Sequence, residues 1–166
     1  MNSVMLDTSF CIRLLKSDDE YHQNAIDYFQ YFLENKIIIY VSSIVIAEYS
    51  VKDDPNHLPL SKMRIVPFDF DDAKTAGEYH NIIKQDKLEV TGLGINRQSI
   101  KDDCKILSQI TNRQIEGYIT KDKKSFSTII EPILKHSGHQ LKLIDLTINL
   151  SIFKNELPFP SNEEPF

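Results

Sequence analysis

Four acidic residues stand where apolar, strand-like runs give way to helix-like ones. Asp7 ends the run Val4-Met5-Leu6 and is followed by Thr8 and Ser9. Glu48 closes SSIVIAE, beyond the β-branched run IIIYV. Asp103 lies in IKDDCKIL, and Asp122 follows Thr120 in YITKD. Carboxylates brought close together repel, and each finds its proton harder to lose unless a cation neutralises the group. No convergent basic partner is evident near these positions. An all-oxygen carboxylate set suits a hard divalent cation, Mg or Mn. Thr8 and Thr120 add hydroxyls that can complete such a site or orient water.

Each acid also has an ordinary reading. Asp7 is a good helix N-cap, because its side chain accepts bonds from unpaired first-turn amides and suits the positive end of the helix dipole. Glu48 reads as an exposed helical residue, Asp122 as a turn residue and Asp103 as an acid near a helix start. Their common placement past strand ends argues for a joint role, since ligands of open α/β sheets bind outside the carboxyl ends of the strands. Asp103 also falls on the apolar stripe Ile100, Asp103, Leu107, Ile110, where a carboxylate is costly without a partner. Asp102 shares a face with Lys105 and Gln109 that reads as solvated. A register shift of one residue exchanges the two aspartates.

The elements that must carry these residues follow from periodicity. Short apolar runs at 3–7, 37–41, 63–68, 117–120 and 141–146 read as buried strands. Helical spacing is expected over 9–16, 17–36, 44–51, 69–87 and 99–113, and within 121–139, where Pro132 breaks or caps the helix. On the fourth of these, Ala73, Ala76, Gly77, His80 and Ile83 form one stripe, small enough for close packing. The alternation predicts an α/β fold: three layers, α/β/α, around a central, mostly parallel five-stranded sheet. A single domain over 1–150 and a Pro-rich, charged tail over 151–166 are expected.

Composition narrows the class. The chain has 166 residues, 41% hydrophobic and 26% charged, with net charge −5, so it lacks the basic footprint of a general nucleic-acid binder. An acidic site that attracts metal ions stays compatible with that balance. Two cysteines without a disulfide framework fit a reducing, cytoplasmic setting. The most apolar window, 37–47, is too short to span a membrane, which takes ~20 residues, and no targeting segment is visible.

The ordered segments LDTS, SSIVIAE, IKDDCKIL and ITKD with Phe126 resemble the PIN domain, a family of metal-dependent ribonucleases. The resemblance spans roughly residues 3–146. It implies a catalytic and metal-binding set of Asp7, Glu48, Asp103 and Asp122, with Asp102, Thr8 and Thr120 as secondary candidates. It further implies endoribonucleolytic hydrolysis of RNA, single-stranded or tRNA, with Mg or Mn. A homodimer, and a VapC-like toxin role beside an antitoxin protein, are implied as well; a solitary RNA-processing nuclease is the other role. The helix after Asp103 departs from the family pattern, reading KILSQI where small alanines are usual. Arg97, Lys101, Lys121, Lys123 and Lys124 are candidates for holding RNA phosphates.

Other features carry less chemistry. His136 and His139 lack a zinc pattern. Cys104 beside two aspartates is a poor nucleophile, and Gly92-Leu93-Gly94 is a loop signal. Tyr28, Phe29, Tyr31 and Phe32 read as core or a partner face. A dehalogenase-type phosphotransferase also begins with an Asp after its first strand, but wants a second Asp where Ser9 stands. A non-catalytic RNA- or protein-binding module on the same fold is the alternative to catalysis.

Overall fold

A computed structural model describes residues 1–85 and 97–155. The expected loop around Gly92 and Gly94, the Arg97 side chain and residues 156–166 lie outside the described residues. The described strands are β1 (Ser3–Leu6), β2 (Ile38–Ser42), β3 (Arg64–Val66), β4 (Gly117–Thr120) and β5 (Lys142–Asp145). They form one sheet in the order β3-β2-β1-β4-β5, and every pairing is parallel. The helices are α1 (Thr8–Leu15), α2 (His22–Glu34), α3 (Ser43–Ser50), α4 (Phe70–Gln85), α5 (Arg97–Asn112), α6 (Lys123–Ser125), α7 (Glu131–Ser137) and α8 (Leu150–Asn155). The expected three-layer α/β/α fold, PIN-like in architecture, is therefore the one observed, with the sheet wholly parallel.

Burial explains the strand sequences. β1 and β4 sit in the middle of the sheet, and every residue of each is buried, as expected where helices cover both faces. Gly117 opens β4 because a Cβ there would come within 2.5 Å of Met1 Sδ and 3.3 Å of the Ser3 carbonyl. β3, at the edge, leaves Arg64 and Ile65 exposed. The sheet order reverses between β1 and β4, which makes the cleft beyond their carboxyl ends the topological switch point.

α5 packs along α4 and under the sheet edge, and its stripe Ile100, Leu107 and Ile110 is buried as the spacing predicts. The opposite reading of its neighbouring face needs correcting. Gln109 is fully buried: its Nε2 donates to the Val66 carbonyl at 3.1 Å, and Ser42 donates to its Oε1 at 2.5 Å. Gln109 therefore turns toward β2 and β3 instead of water, while Asp102 and Lys105 stay half-buried.

The α4 register also differs from the small-residue stripe. Asp72, Ala76, Tyr79 and Ile83 face inward, while Ala73 and Gly77 are exposed. The inward positions are fixed by polar anchors that a hydrophobic pattern does not weigh. The Asp69 carboxylate accepts from the Asp72 amide at 3.0 Å, and Asp72 accepts from the Asp69 amide at 3.2 Å, a reciprocal cap at the helix start. Arg113, just past α5, then reaches Asp72 through both terminal nitrogens at 2.6 and 3.0 Å.

The single helical stretch expected in 121–139 is divided. α6 ends at Ser125, a π-helical turn runs over Phe126–Ile130, and α7 follows with Pro132 in its first turn. Proline lacks an N–H, so it is tolerated there because no intrahelical bond is lost. Gly138 ends α7 in the left-handed conformation, φ 68°.

Residues 150–155, in part assigned to a tail by the sequence, form α8. Its Phe153 is buried edge-on against Tyr28 at 5.6 Å and Tyr31 at 6.3 Å. The aromatic face of α2 is thus covered from within the chain. Among the described residues no helix is long and apolar enough to cross a membrane.

Candidate active site

All four predicted acids line one pocket of about 400 Å³ at the carboxyl edge of the sheet. They arrive from four separate places in the chain. Asp7 follows β1, and its amide donates to the Ile119 carbonyl of β4 at 3.2 Å. Glu48 projects from α3, Asp103 from the first half of α5, and Asp122 from the turn after β4.

Asp7 does act as the α1 cap, and this is compatible with a role in the pocket. Its Oδ2 accepts from the Ser9 amide at 3.2 Å, from Ser9 Oγ at 2.6 Å and from Thr120 Oγ1 at 2.8 Å. Those two hydroxyls are themselves fixed: Ser9 Oγ accepts the Lys121 amide at 3.0 Å, and Thr120 Oγ1 accepts the Asp122 amide at 2.9 Å. Two backbone amides of the β4–α6 turn are therefore tied to a single oxygen of Asp7, which locks the position of Asp122 to that of Asp7.

The other acids are held in the same way. Thr8 Oγ1 donates to Glu48 Oε2, and Ser125 Oγ donates to Asp103 Oδ2. The Ser125 amide donates to Asp122 Oδ1 at 2.9 Å. Thr8 thus serves Glu48 from outside the pocket lining, whereas Thr120 lines it. Ser125 is a site residue that the sequence pattern does not single out. Its one signal is position: it stands three residues after Asp122, where a capping aspartate finds its amide partner.

Asp102 and Asp103 are both half-buried and both line the pocket. Burial pushes the Asp103 carboxyl up to about 7, and Asp7, Asp122 and Glu48 add to the rise, while the Ser125 hydroxyl works against it. Asp102 lines the same pocket but is paired with Lys105 at 2.8 Å. Glu48 is also raised, first by burial and then by Asp7 and Asp102, with the Thr8 hydroxyl opposing. These shifts are the signature of negative charge gathered over an apolar floor, here Ile106, Tyr118, Phe126 and Ile130.

Such an oxygen-only donor set fits a hard divalent cation by its chemistry. Among the described residues, no three acidic, histidine or cysteine side chains are already closed around one point as a cage. The carboxylates accept from neighbouring hydroxyls.

The described basic candidates have protein neighbours of their own. Lys123 is ion-paired with Asp145, and Lys121 lies 3.8 Å from Glu20 and over the Tyr21 ring. Lys101 lines a shallow apolar groove between α4 and α5 with Ala73, Gly77 and His80. The lysine that does line the acidic pocket is Lys52, just past α3, which no motif or spacing marks. Cys11 and Cys104 are buried, and burial with a nearby aspartate raises both thiols, Cys104 to about 12, so neither is a ready nucleophile. His139 is bonded to the Ile115 carbonyl at 2.9 Å, a structural role.

The fold is shared with solved structures. A chain of VapBC2 from Rickettsia felis, bound to a DNA fragment from their promoter, superposes with a TM-score of 0.60 at 22% identity, covering 86% of this chain and 99% of that one. Chains of DNA-bound VapBC from Salmonella typhimurium and of VapBC-1 from nontypeable Haemophilus influenzae each give 0.57 at 18% identity, covering 88% and 99%. No family model and no curated protein matches the sequence.

Proposed function

We propose that this protein is a metal-dependent endoribonuclease that hydrolyses RNA phosphodiester bonds at the Asp7, Glu48, Asp103, Asp122 site. The observation that carries the reading is the convergence of four carboxylates, from four separate elements, on one pocket at the sheet's switch point. The fold shared with VapBC chains supports it. A bound Mg or Mn ion would supply Lewis acidity and lower the pKa of a water ligand.

The chain's own residues then have distinct tasks. Asp7, held by the Ser9 and Thr120 hydroxyls, and Asp103, held by that of Ser125, would ligate the cation. Asp122 completes the holding set from the turn that Ser9 and Thr120 fasten to Asp7. Glu48, across the pocket, accepts the proton of the attacking water or orients it. Lys52 at the rim faces incoming phosphate.

The comparison structures are VapB–VapC assemblies, and two contain DNA. By extension, the role that we infer is that of a toxin held by an antitoxin protein whose segment covers the acidic pocket, with a homodimer as the working unit. A solitary nuclease would have the same chemistry without the inhibitor.

The test is incubation of the purified protein with a panel of single-stranded RNAs and tRNA, in Mn, in Mg and in chelator, beside Asp7→Asn. Cleavage that needs the metal and vanishes in Asp7→Asn is the expected result. If the protein binds neither Mn nor RNA, the catalytic reading fails. If it binds RNA but neither binds Mn nor cleaves, a non-catalytic binding module takes its place.

A further inference from the structure

Ser125 meets two of the four acids at once. Its hydroxyl donates to Asp103 Oδ2 on α5, and its amide donates to Asp122 Oδ1 at 2.9 Å. Only 7% of its surface is exposed, so the hydroxyl must find its acceptor within the protein. The chain fixes it from both sides. Asp122 caps the short helix α6, and the spacing of three residues brings the Ser125 amide onto the capping carboxylate. A π-helical turn, a feature frequent at functional sites, starts at the next residue. Its first side chain, Phe126, is buried and stacks on Tyr118 with ring centroids 6.5 Å apart.

The bonds divide every acid of the pocket in the same way. Asp7 accepts from Ser9 and Thr120 through Oδ2 alone, and Glu48 accepts from Thr8 through Oε2 alone. Asp103 uses Oδ2 and Asp122 uses Oδ1, both toward Ser125. The second oxygen of each acid accepts no hydrogen bond from any described residue. One oxygen per acid is thus committed to the protein, and one is left to a ligand. The acids differ in how firmly they are held. Asp7 has three donors, whereas the Ser125 hydroxyl is the only described donor to Asp103. Without that hydroxyl the Asp103 carboxylate can turn about its last bond, a soft and roughly two-fold torsion, and either oxygen can face a ligand. An alanine at 125 would fill the same space and keep the amide, but it would lose the donor.

We propose that Ser125 is a positioning residue of the acidic site: its hydroxyl fixes the rotation of the Asp103 carboxylate, and its amide that of Asp122, so that one set oxygen of each is presented to a divalent cation. This rests on the reading of the pocket as a divalent-cation site. Outer hydrogen-bond partners of metal-binding side chains typically change metal affinity by ~10-fold or more when removed. Ser125 acts through the two aspartates and need not touch the substrate.

The test measures Mn binding by calorimetry on the full chain, for the unaltered protein, Ser125→Ala, Ser125→Thr, Ser108→Ala and Asp7→Asn. Ser125→Ala removes the hydroxyl and keeps the amide bond to Asp122, whereas Ser125→Thr keeps both. Ser108→Ala removes another buried serine hydroxyl of α5, which bonds the Lys105 carbonyl at 2.7 Å and does not line the pocket. The expected result is loss of binding in Asp7→Asn, affinity lowered about 10-fold in Ser125→Ala, affinity kept in Ser125→Thr, and no change in Ser108→Ala. RNA cleavage by Ser125→Ala should fall at limiting Mn and recover at saturating Mn, with KM for RNA unchanged. In crystals of the unaltered protein soaked in Mn, the metal should be bonded to the Asp103 oxygen turned away from Ser125. Unaltered Mn affinity in Ser125→Ala, or a metal bonded to the oxygen that faces Ser125, overturns the proposal while leaving the nuclease reading intact. Equal losses in Ser125→Ala and Ser108→Ala also overturn it, because the effect would then be general loosening. So does Ser125→Thr binding as weakly as Ser125→Ala, because the hydroxyl would then not be what counts. Absence of Mn binding by the unaltered protein removes both readings. Mn binding without cleavage removes only the RNA reading, and the affinity of Ser125→Ala still decides.

Discussion

Asp103→Asn should make this protein more stable and catalytically dead. In chelator, its melting temperature should rise by several degrees at pH 7.5, because a buried carboxylate that is raised to about 7 is forced to carry charge there. One unit of such a shift corresponds to ~1.4 kcal/mol, and ~1 kcal/mol moves the midpoint of a domain of this size by ~2–4 °C. Asn keeps the shape and can still accept from Ser125. The sign of the pH dependence follows. The folded carboxyl sits above its unfolded value, so its cost is greatest above about 7 and fades as pH falls toward the ordinary carboxylate range. The gap between variant and parent should therefore narrow at pH 5. Mn should raise the melting temperature of the parent and leave that of the variant unmoved. RNA cleavage should drop about a thousandfold, as loss of several kcal/mol of metal-borne stabilisation requires. Calorimetric melting with and without Mn, beside a cleavage assay, checks all three. A functional site that opposes stability is the common pattern.

Arg113→Ala should cost about 3–5 kcal/mol of stability, read from urea unfolding. Asp72 is fully buried and depends on Arg113 for two bonds, on Asn112 for a third at 3.0 Å and on the Asp69 amide for a fourth. Burial alone would raise its carboxyl, but these donors outweigh burial and hold it below the usual range. The stability that the depressed carboxyl contributes is complete above the ordinary Asp value and is lost as pH falls through the folded one. Removing the guanidinium leaves the charge inside the α4–α5 junction with no cation. Replacing both partners, Arg113→Met with Asp72→Leu, should recover most of the loss, since apolar pairs often match buried ion pairs. If Arg113→Ala unfolds within ~0.5 kcal/mol of the parent, the pair is not structural. α5 carries Asp103, so the junction also fixes one wall of the acidic pocket.

Much of the fold is legible in the sequence because its strands are short, apolar and punctuated by acids. β1 and β4 are buried on both faces, so their sequences read as continuous hydrophobic runs. Asp7, Glu48, Asp103 and Asp122 can be collected by their spacing because strand ends of a parallel sheet share one edge. The choice between Asp102 and Asp103 rests on one helical stripe, and the fold brings both to the same pocket wall, Asp102 paired with Lys105 and Asp103 bonded by Ser125.

What stays hidden is polar and tertiary. Asp72 looks like one of several caps, yet it is the buried end of an ion pair whose partner lies 41 residues away. Gln109 reads as solvated, yet from α5 it bridges Ser42 of β2 and the Val66 carbonyl of β3. The α8 residues are masked by the Pro-rich stretch that follows them. In each case the deciding partner is distant in sequence, and periodicity carries no information about it.

The most direct measurement is anomalous diffraction from crystals of this protein soaked in Mn. A peak is expected in the acidic pocket bonded to carboxylate oxygens of Asp7 and Asp103, and none in crystals of Asp7→Asn. A soaked crystal with an empty pocket, or with Mn bound only elsewhere, would contradict the claim that these four acids form a divalent-cation site.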